Sequence, residues 1–532
     1  VTPTTSTTAG IAAPTWKERL LESGRGDGVR GALVVMALGV AVLLGLTVGV
    51  VIQTRTVRLP LAILLVVVLA LIAMVRPQLA VVLTLVYLML MAMLRRMLIP
   101  LEAFTAFDPL LTVGPALAVV LFLRYTLMPG HRIAADPTSA VITVIILLSL
   151  LETFNPLGGG FRVGFLGLIY VGVPMLWFYV GRDLIRPPWT RRLGYTVLAI
   201  AVLEAGMGLW QMTFGFFDWD YMWRDYVRTT LGNYIAINVR GAVRAWASFS
   251  SIWEYSATLA VGIGVGISGA LRTRRLLPLL PVPFLLYALF IEASRTFMVL
   301  AIFSVLVVIA LGRRTRRRAW ITALASLLLL VSVDVYVGHS FTAHKYANTQ
   351  GQLVQHQVLG LTRPLDPSNS TLMDHLTYAW SGIRIALQHP TGLGPGAANL
   401  ASDRAAGQSS NNTELDVTNI FIALGPAGGL LYTFLVVRVL WLVGRDAFRR
   451  RDPDSMIVIA VLVAAFGQWM NSGLYFIGPL AWTLIGASAG RMADDPPPAR
   501  KRDAVATHDQ RDVGLQPKLP GAPGGGLPQP AG

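Results

Sequence analysis

Two arginines stand where charge is costly. Arg295, in Glu292-Ala-Ser294-Arg295-Thr-Phe, falls between two apolar runs, and Arg244, in Arg240-Gly-Ala-Val-Arg244-Ala-Trp246-Ala-Ser248-Phe249, precedes a third. An arginine at the centre of a membrane helix costs roughly 2.5–3.5 kcal/mol on insertion scales, and less at the interface. A planar guanidinium held there can grip an anionic headgroup bidentately, which makes Arg244 and Arg295 candidate anion-binding residues. Helix-end arginines that reach up to lipid headgroups are the alternative. Glu414 and Asp416, in Glu414-Leu-Asp416-Val-Thr418-Asn419, open a later apolar run. Carboxylates at a membrane boundary are expensive to bury, so Asp416, with Glu414 second, is a candidate general base. Water-facing acids at a helix start would give the same pattern.

Trp219, Trp223, Tyr226 and Trp246 are concentrated between Phe216 and Ser251, among charged residues. Aromatic planes pack on the C–H faces of sugar rings, so these four, with His375 and His389, are candidate glycan contacts. An interfacial aromatic belt is the alternative. Helical periodicity over Leu376–Leu387 stops at His389-Pro390, and Gly392, Gly394 and Gly396 then impose a tight turn. There is no cysteine, hence no thiol chemistry or Cys-based metal site. No P-loop, dinucleotide fingerprint or cytoplasmic Asp-x-Asp pair is visible, so no cofactor and no metal are expected.

The elements that must position these residues are membrane helices. Of 532 residues, 54% are hydrophobic and 14% charged, and mean hydropathy is +0.60, too apolar for a soluble chain of this length. The net charge of +16 is almost all arginine, clustered beside apolar runs, which sets topology and does not point to nucleic acid. Apolar runs fall near 32–52, 59–75, 77–94, 109–123, 139–154, 164–181, 193–214, 254–271, 276–293, 296–312, 319–338, 417–443, 456–473 and 475–490. The spacing predicts an all-α, polytopic bundle of about 12–14 spans over 32–493. Arginines near 76, 124–132, 182–192, 272–275, 313–318 and 449–451 place both termini in the cytoplasm, while Arg55, Arg58, Arg95 and Arg96 fall on the other side. The segments 215–253 and 339–416 are then extracytoplasmic. The second holds five of the seven histidines, and a loop that long is usually functional. Residues 1–31 read as a cytoplasmic tail with a short interfacial helix from Thr15, with no cleavable leader expected; 494–532 reads as a disordered cytoplasmic tail.

In order and spacing these features resemble the bacterial O-antigen ligase and polymerase superfamily of envelope glycan assembly. The matching residues are Ser294-Arg295; Arg244 with Ser248-Phe249; Trp380 to His389-Pro390 with Gly392, Gly394 and Gly396; and Asn419 followed by Gly429 and Tyr432. The family's ligases carry a histidine immediately before that asparagine. Here it is Thr418, which leaves Asp416, Glu414 or another loop histidine to replace it and fits a polymerase of exopolysaccharide or capsule better than a strict ligase.

The resemblance implies a glycosyltransferase of the cytoplasmic (inner) membrane, moving oligosaccharide from an undecaprenyl-diphosphate carrier to an acceptor glycan or lipid, beside other polysaccharide-assembly proteins. Arg244 and Arg295 would neutralise the departing diphosphate, and a carboxylate would take the acceptor proton. Two alternatives are a secondary transporter or lipid-linked glycan flippase, and a non-catalytic assembly protein. A transporter is expected to show internal repeats and mid-membrane polar residues; no repeat is evident, and Glu204 is the deepest acid.

Overall fold

The computed structural model describes residues 56–104, 108–126, 133, 136–230, 238–239, 242–313, 315, 317–325, 327–328, 332, 349–368, 370–402, 411–470 and 474–494. The expected interfacial helix, the run 32–52, much of 319–338, and the tail beyond 494 lie outside these residues, as do Arg55 and Arg240.

Helix dominates, as uninterrupted apolar sequence requires. The elements are α1 (Arg58–Val75), α2 (Pro77–Met97), α3 (Val113–Tyr125), α4 (Pro137–Glu152), α5 (Phe161–Leu184), α6 (Trp189–Phe214), α7 (Asp218–Thr230) and α8 (Ile252–Thr273). They continue as α9 (Val282–Ile291), α10 (Arg295–Leu311), α11 (Thr349–Thr362), α12 (Leu372–Gln388), α13 (Asp416–Arg450), α14 (Pro453–Ala464) and α15 (Ile477–Asp494). Two-residue strands β1 (Asn238–Val239) and β2 (Ala242–Val243) pair antiparallel after α7. Among the described residues, six helices, α1, α2, α5, α6, α8 and α13, are long and apolar enough to cross a bilayer, and shorter apolar helices fill in between. The chain is therefore a membrane protein built as a helical bundle.

α8 is the central post. It packs against α6, α9, α10 and α14, and 83% of its apolar window is buried, against 28% for peripheral α1. Small residues let its neighbours approach: a side chain at Gly264 would meet Ser304 on α10 and Ala460 on α14, whose carbonyl accepts from the Ser304 hydroxyl at 2.8 Å.

Three of the arginines that defied the topology pattern, Arg58, Arg95 and Arg96, are buried in ion pairs. Arg58 and Arg95 share Asp108, the second at 2.9 Å, and Arg96 Nε meets Asp220 of α7 at 2.8 Å. A guanidinium so paired is a tie between helices and carries no orientation signal.

α13 is broken at Gly425, which adopts φ 68°, directly before Pro426. Proline has no N–H, so the carbonyl of Ile422 loses its helical donor. Leu393 N–H fills that place at 2.9 Å, and Gly394 N–H donates to Ala423 at 3.1 Å. The glycine turn is the cap of a broken membrane helix.

Candidate functional site

Arg244 begins a buried, non-helical stretch whose backbone is satisfied by side chains from two helices, α2 and α6. Gln211 Oε1 accepts from the amides of Trp246 (3.2 Å) and Ala247 (2.8 Å). Glu204 accepts from the Ser248 amide at 3.0 Å and its hydroxyl at 2.6 Å. Arg96 donates to the carbonyls of Ala247 (2.7 Å) and Phe249. Irregular backbone is tolerated at membrane depth only where it is buried in protein and paired, and these polar side chains supply the pairing. Glu204, the deep acid of the sequence, is thus a backbone cap.

The stretch aims Arg244 at the turn between α9 and α10. Its Nε donates to the Glu292 carbonyl at 2.9 Å and lies 3.2 Å from the Glu292 carboxylate, which is wholly buried. Ala293 turns the chain through φ 60°, Ser294 precedes the helix, and Arg295 is the first residue of α10. Above this turn lies α11, where Leu353 packs on Ala293 and Met212. The Arg295 guanidinium rests directly on Gly360 of α11, leaving no room for a side chain there.

Arg295 is also close enough to His375 of α12 to perturb its charge. His375 Nδ1 lies 2.9 Å from Glu414 Oε2, with 40% and 31% of the two side chains exposed. The Glu414 hydrogen bond holds the imidazole above its ordinary value, outweighing partial burial and the nearby Arg295. Glu414 itself adopts φ 64°. Among the described residues, five that are not glycine have left-handed backbone: Ala293, directly after Glu292; Glu414 itself; Ala247, three residues beyond Arg244; and Arg274 and Arg451, which simply end helices. Strain of this kind, about 1–3 kcal/mol apiece, persists where surrounding structure enforces it and gathers at functional sites.

Asp416, expected as first-choice base, is almost fully buried beside the Tyr432 hydroxyl and the backbone of Trp469 and Met470. Neither carboxylate oxygen completes a well-formed hydrogen bond there. Glu414, two residues away, is the accessible carboxylate. Thr418 is buried against Thr413, and Asn419 holds the Thr413 amide and hydroxyl, both at 2.8 Å. Behind Trp469 and Met470 lies an apolar cavity of about 360 Å³, bounded also by Tyr170, Trp177 and Tyr475.

Two of the aromatic expectations, Trp223 and Trp246, need correction. Trp246 and Trp223 are core: Trp246 is 0% exposed and stacks on Phe216 at 4.3 Å, and Trp223 lies against Trp246 and beneath Arg96. Trp223 belongs to the amphipathic helix α7, whose apolar residues, three or four apart, are drawn inward. Tyr226 packs edge-on against Phe104 and Trp219 stacks on Phe217. His389 ends α12, half-buried, at the glycine turn. Gly392 and Gly394 adopt φ 88° and 85°, and Gly396 is pressed on Val163 of α5, so all three are packing residues. Gly429 lies under the Phe421 ring. The pairings of Arg244 with Glu292 and of His375 with Glu414 join residues too distant in sequence for spacing to reveal.

No model of a known protein family matches this chain, and no curated protein matches it by sequence.

Proposed function

We propose that the protein transfers oligosaccharide from a polyprenyl-diphosphate carrier to an acceptor hydroxyl on the extracytoplasmic face of the cytoplasmic membrane, as a polymerase or ligase of surface glycan. The observation that carries this reading is Arg244–Glu292 and Arg295 at one turn covered by α11, with His375–Glu414 within electrostatic reach of Arg295. Arg295 and the Nη edge of Arg244 would bind the diphosphate and stabilise the charge that develops as it leaves. His375, oriented by Glu414, would accept the acceptor proton; a loop histidine thereby fills the role left open by Thr418. The apolar cavity behind Trp469 and Met470 would receive isoprenoid units of the carrier. Glu204, bound to Ser248, disfavours an ion-coupled transporter, because the deepest acid is already committed to backbone.

Arg244→Ala would strand a buried carboxylate, so the informative variants keep the packing. Arg244→Gln with Glu292→Gln, Arg295→Ala, and Gly360→Ala, which displaces Arg295 without changing charge, should each lower product formation about 10²-fold or more, at unchanged membrane yield. The assay is purified protein with lipid-linked oligosaccharide, resolved on gels. Undiminished lengthening in all three would sink the reading; transbilayer movement of donor without product would favour a flippase.

A further inference from the structure

A second site lies at the far end of α13. A groove of about 1130 Å³ runs between α10, the helical stretch 317–325 and the C-terminal half of α13. Its walls are apolar: Phe303 from α10 and Leu324 opposite are more than half exposed, as is Trp441 on α13. Its floor at Gly444 is open, with nothing within 4 Å of where a side chain would start. One end is cationic. Arg445 sits over the Trp441 ring at 5.0 Å, and Arg449, one turn on, is exposed. No described residue lining the groove is acidic. Asp446, the acid of that turn, is buried and bound to Arg450 and Arg491 instead.

The unbroken part of α13 runs 19 residues from Pro426 to Arg445, which at 1.5 Å per residue is roughly 28 Å. That is close to a hydrocarbon thickness of about 30 Å, so the groove opens toward the membrane boundary opposite the break in α13. We infer that it is a binding site for an anionic phospholipid of that leaflet, with the phosphate on Arg445 and Arg449 and an acyl chain along Trp441, Phe303 and Leu324. An apolar trough that ends in two arginines and no acid matches a lipid with a negative headgroup and discriminates against a zwitterionic one.

The test uses the full chain, delipidated in detergent and titrated with cardiolipin or phosphatidylcholine under native mass spectrometry. Cardiolipin should bind at least tenfold more tightly. Arg445→Gln with Arg449→Gln should erase that preference. Gly444→Leu should fill the groove and abolish retention of both lipids, with a Tm equal to or above the parent because leucine favours helix over glycine. Equal binding of the two lipids by the parent, or undiminished cardiolipin binding by Gly444→Leu, would overturn the inference. So would a dimer that Gly444→Leu dissolves with no lipid bound, which would assign the groove to a second copy of the chain.

Discussion

At the scale of single residues, the proton chemistry turns on one pair. His375 can accept a proton only when neutral, and Glu414 holds it protonated to higher pH than an unperturbed imidazole. Activity limited by this base should therefore rise with pH through a midpoint above 6.5. Glu414→Gln keeps the shape but removes the charge, and should move the midpoint down, so that the variant is relatively more active on the acid side. An initial-rate profile from pH 5 to 9 reads this; an unchanged midpoint would remove His375 from the mechanism. The linked effect on stability has the opposite slope. A raised folded-state value means that the pair's contribution is complete below about 6.5, the unfolded value, and is lost as pH climbs through the folded one. With both side chains partly exposed, that contribution is small.

At the scale of elements, the broken helix α13 and its glycine cap form one device. The turn at 390–396 exists because Pro426 orphans a carbonyl, and Gly392 is needed because its backbone is left-handed and a Cβ would strike Ala423. Gly392→Ala should lower stability by about 2 kcal/mol or more, whereas Pro426→Ala, which only returns a donor, should be nearly neutral; thermal unfolding in detergent compares them. An equal loss in both would show that the cap is not built this way. Much of this device was legible: His389-Pro390 ends α12 where periodicity fails, and α13 begins at Asp416 against an expected 417. What could not be read was that the turn's partner is a carbonyl 29 residues away, Leu393 to Ile422 and Gly394 to Ala423. The aromatic stretch 216–251 misled for a related reason. Composition shows that tryptophans are concentrated there, but only the amphipathic period of α7 decides that Trp223 faces Trp246 and not water.

At the scale of the whole molecule, buried arginines join the N-terminal helices to the site. Charge counting treats Arg58, Arg95 and Arg96 as topology signals, and it misleads because the acids that pair them, Asp108 and Asp220, lie in other segments. Arg96 has the heavier duty. It alone among the three reaches the Arg244 stretch, binding the carbonyls of Ala247 and Phe249 while its Nε meets Asp220. Arg95 shares Asp108 with Arg58, so its loss still leaves that carboxylate one cation. Arg96→Met should therefore cost about 3–5 kcal/mol, the range for stranding a buried charge, and Arg95→Met distinctly less. Adding Asp220→Asn to Arg96→Met should restore part of the loss, because the stranded charge is gone, but not all, because the two carbonyls stay unpaired. Unfolding of these three variants and the parent in one detergent checks the ranking. If Arg96→Met were no worse than Arg95→Met, the N-terminal helices would not be what holds Arg244 in place.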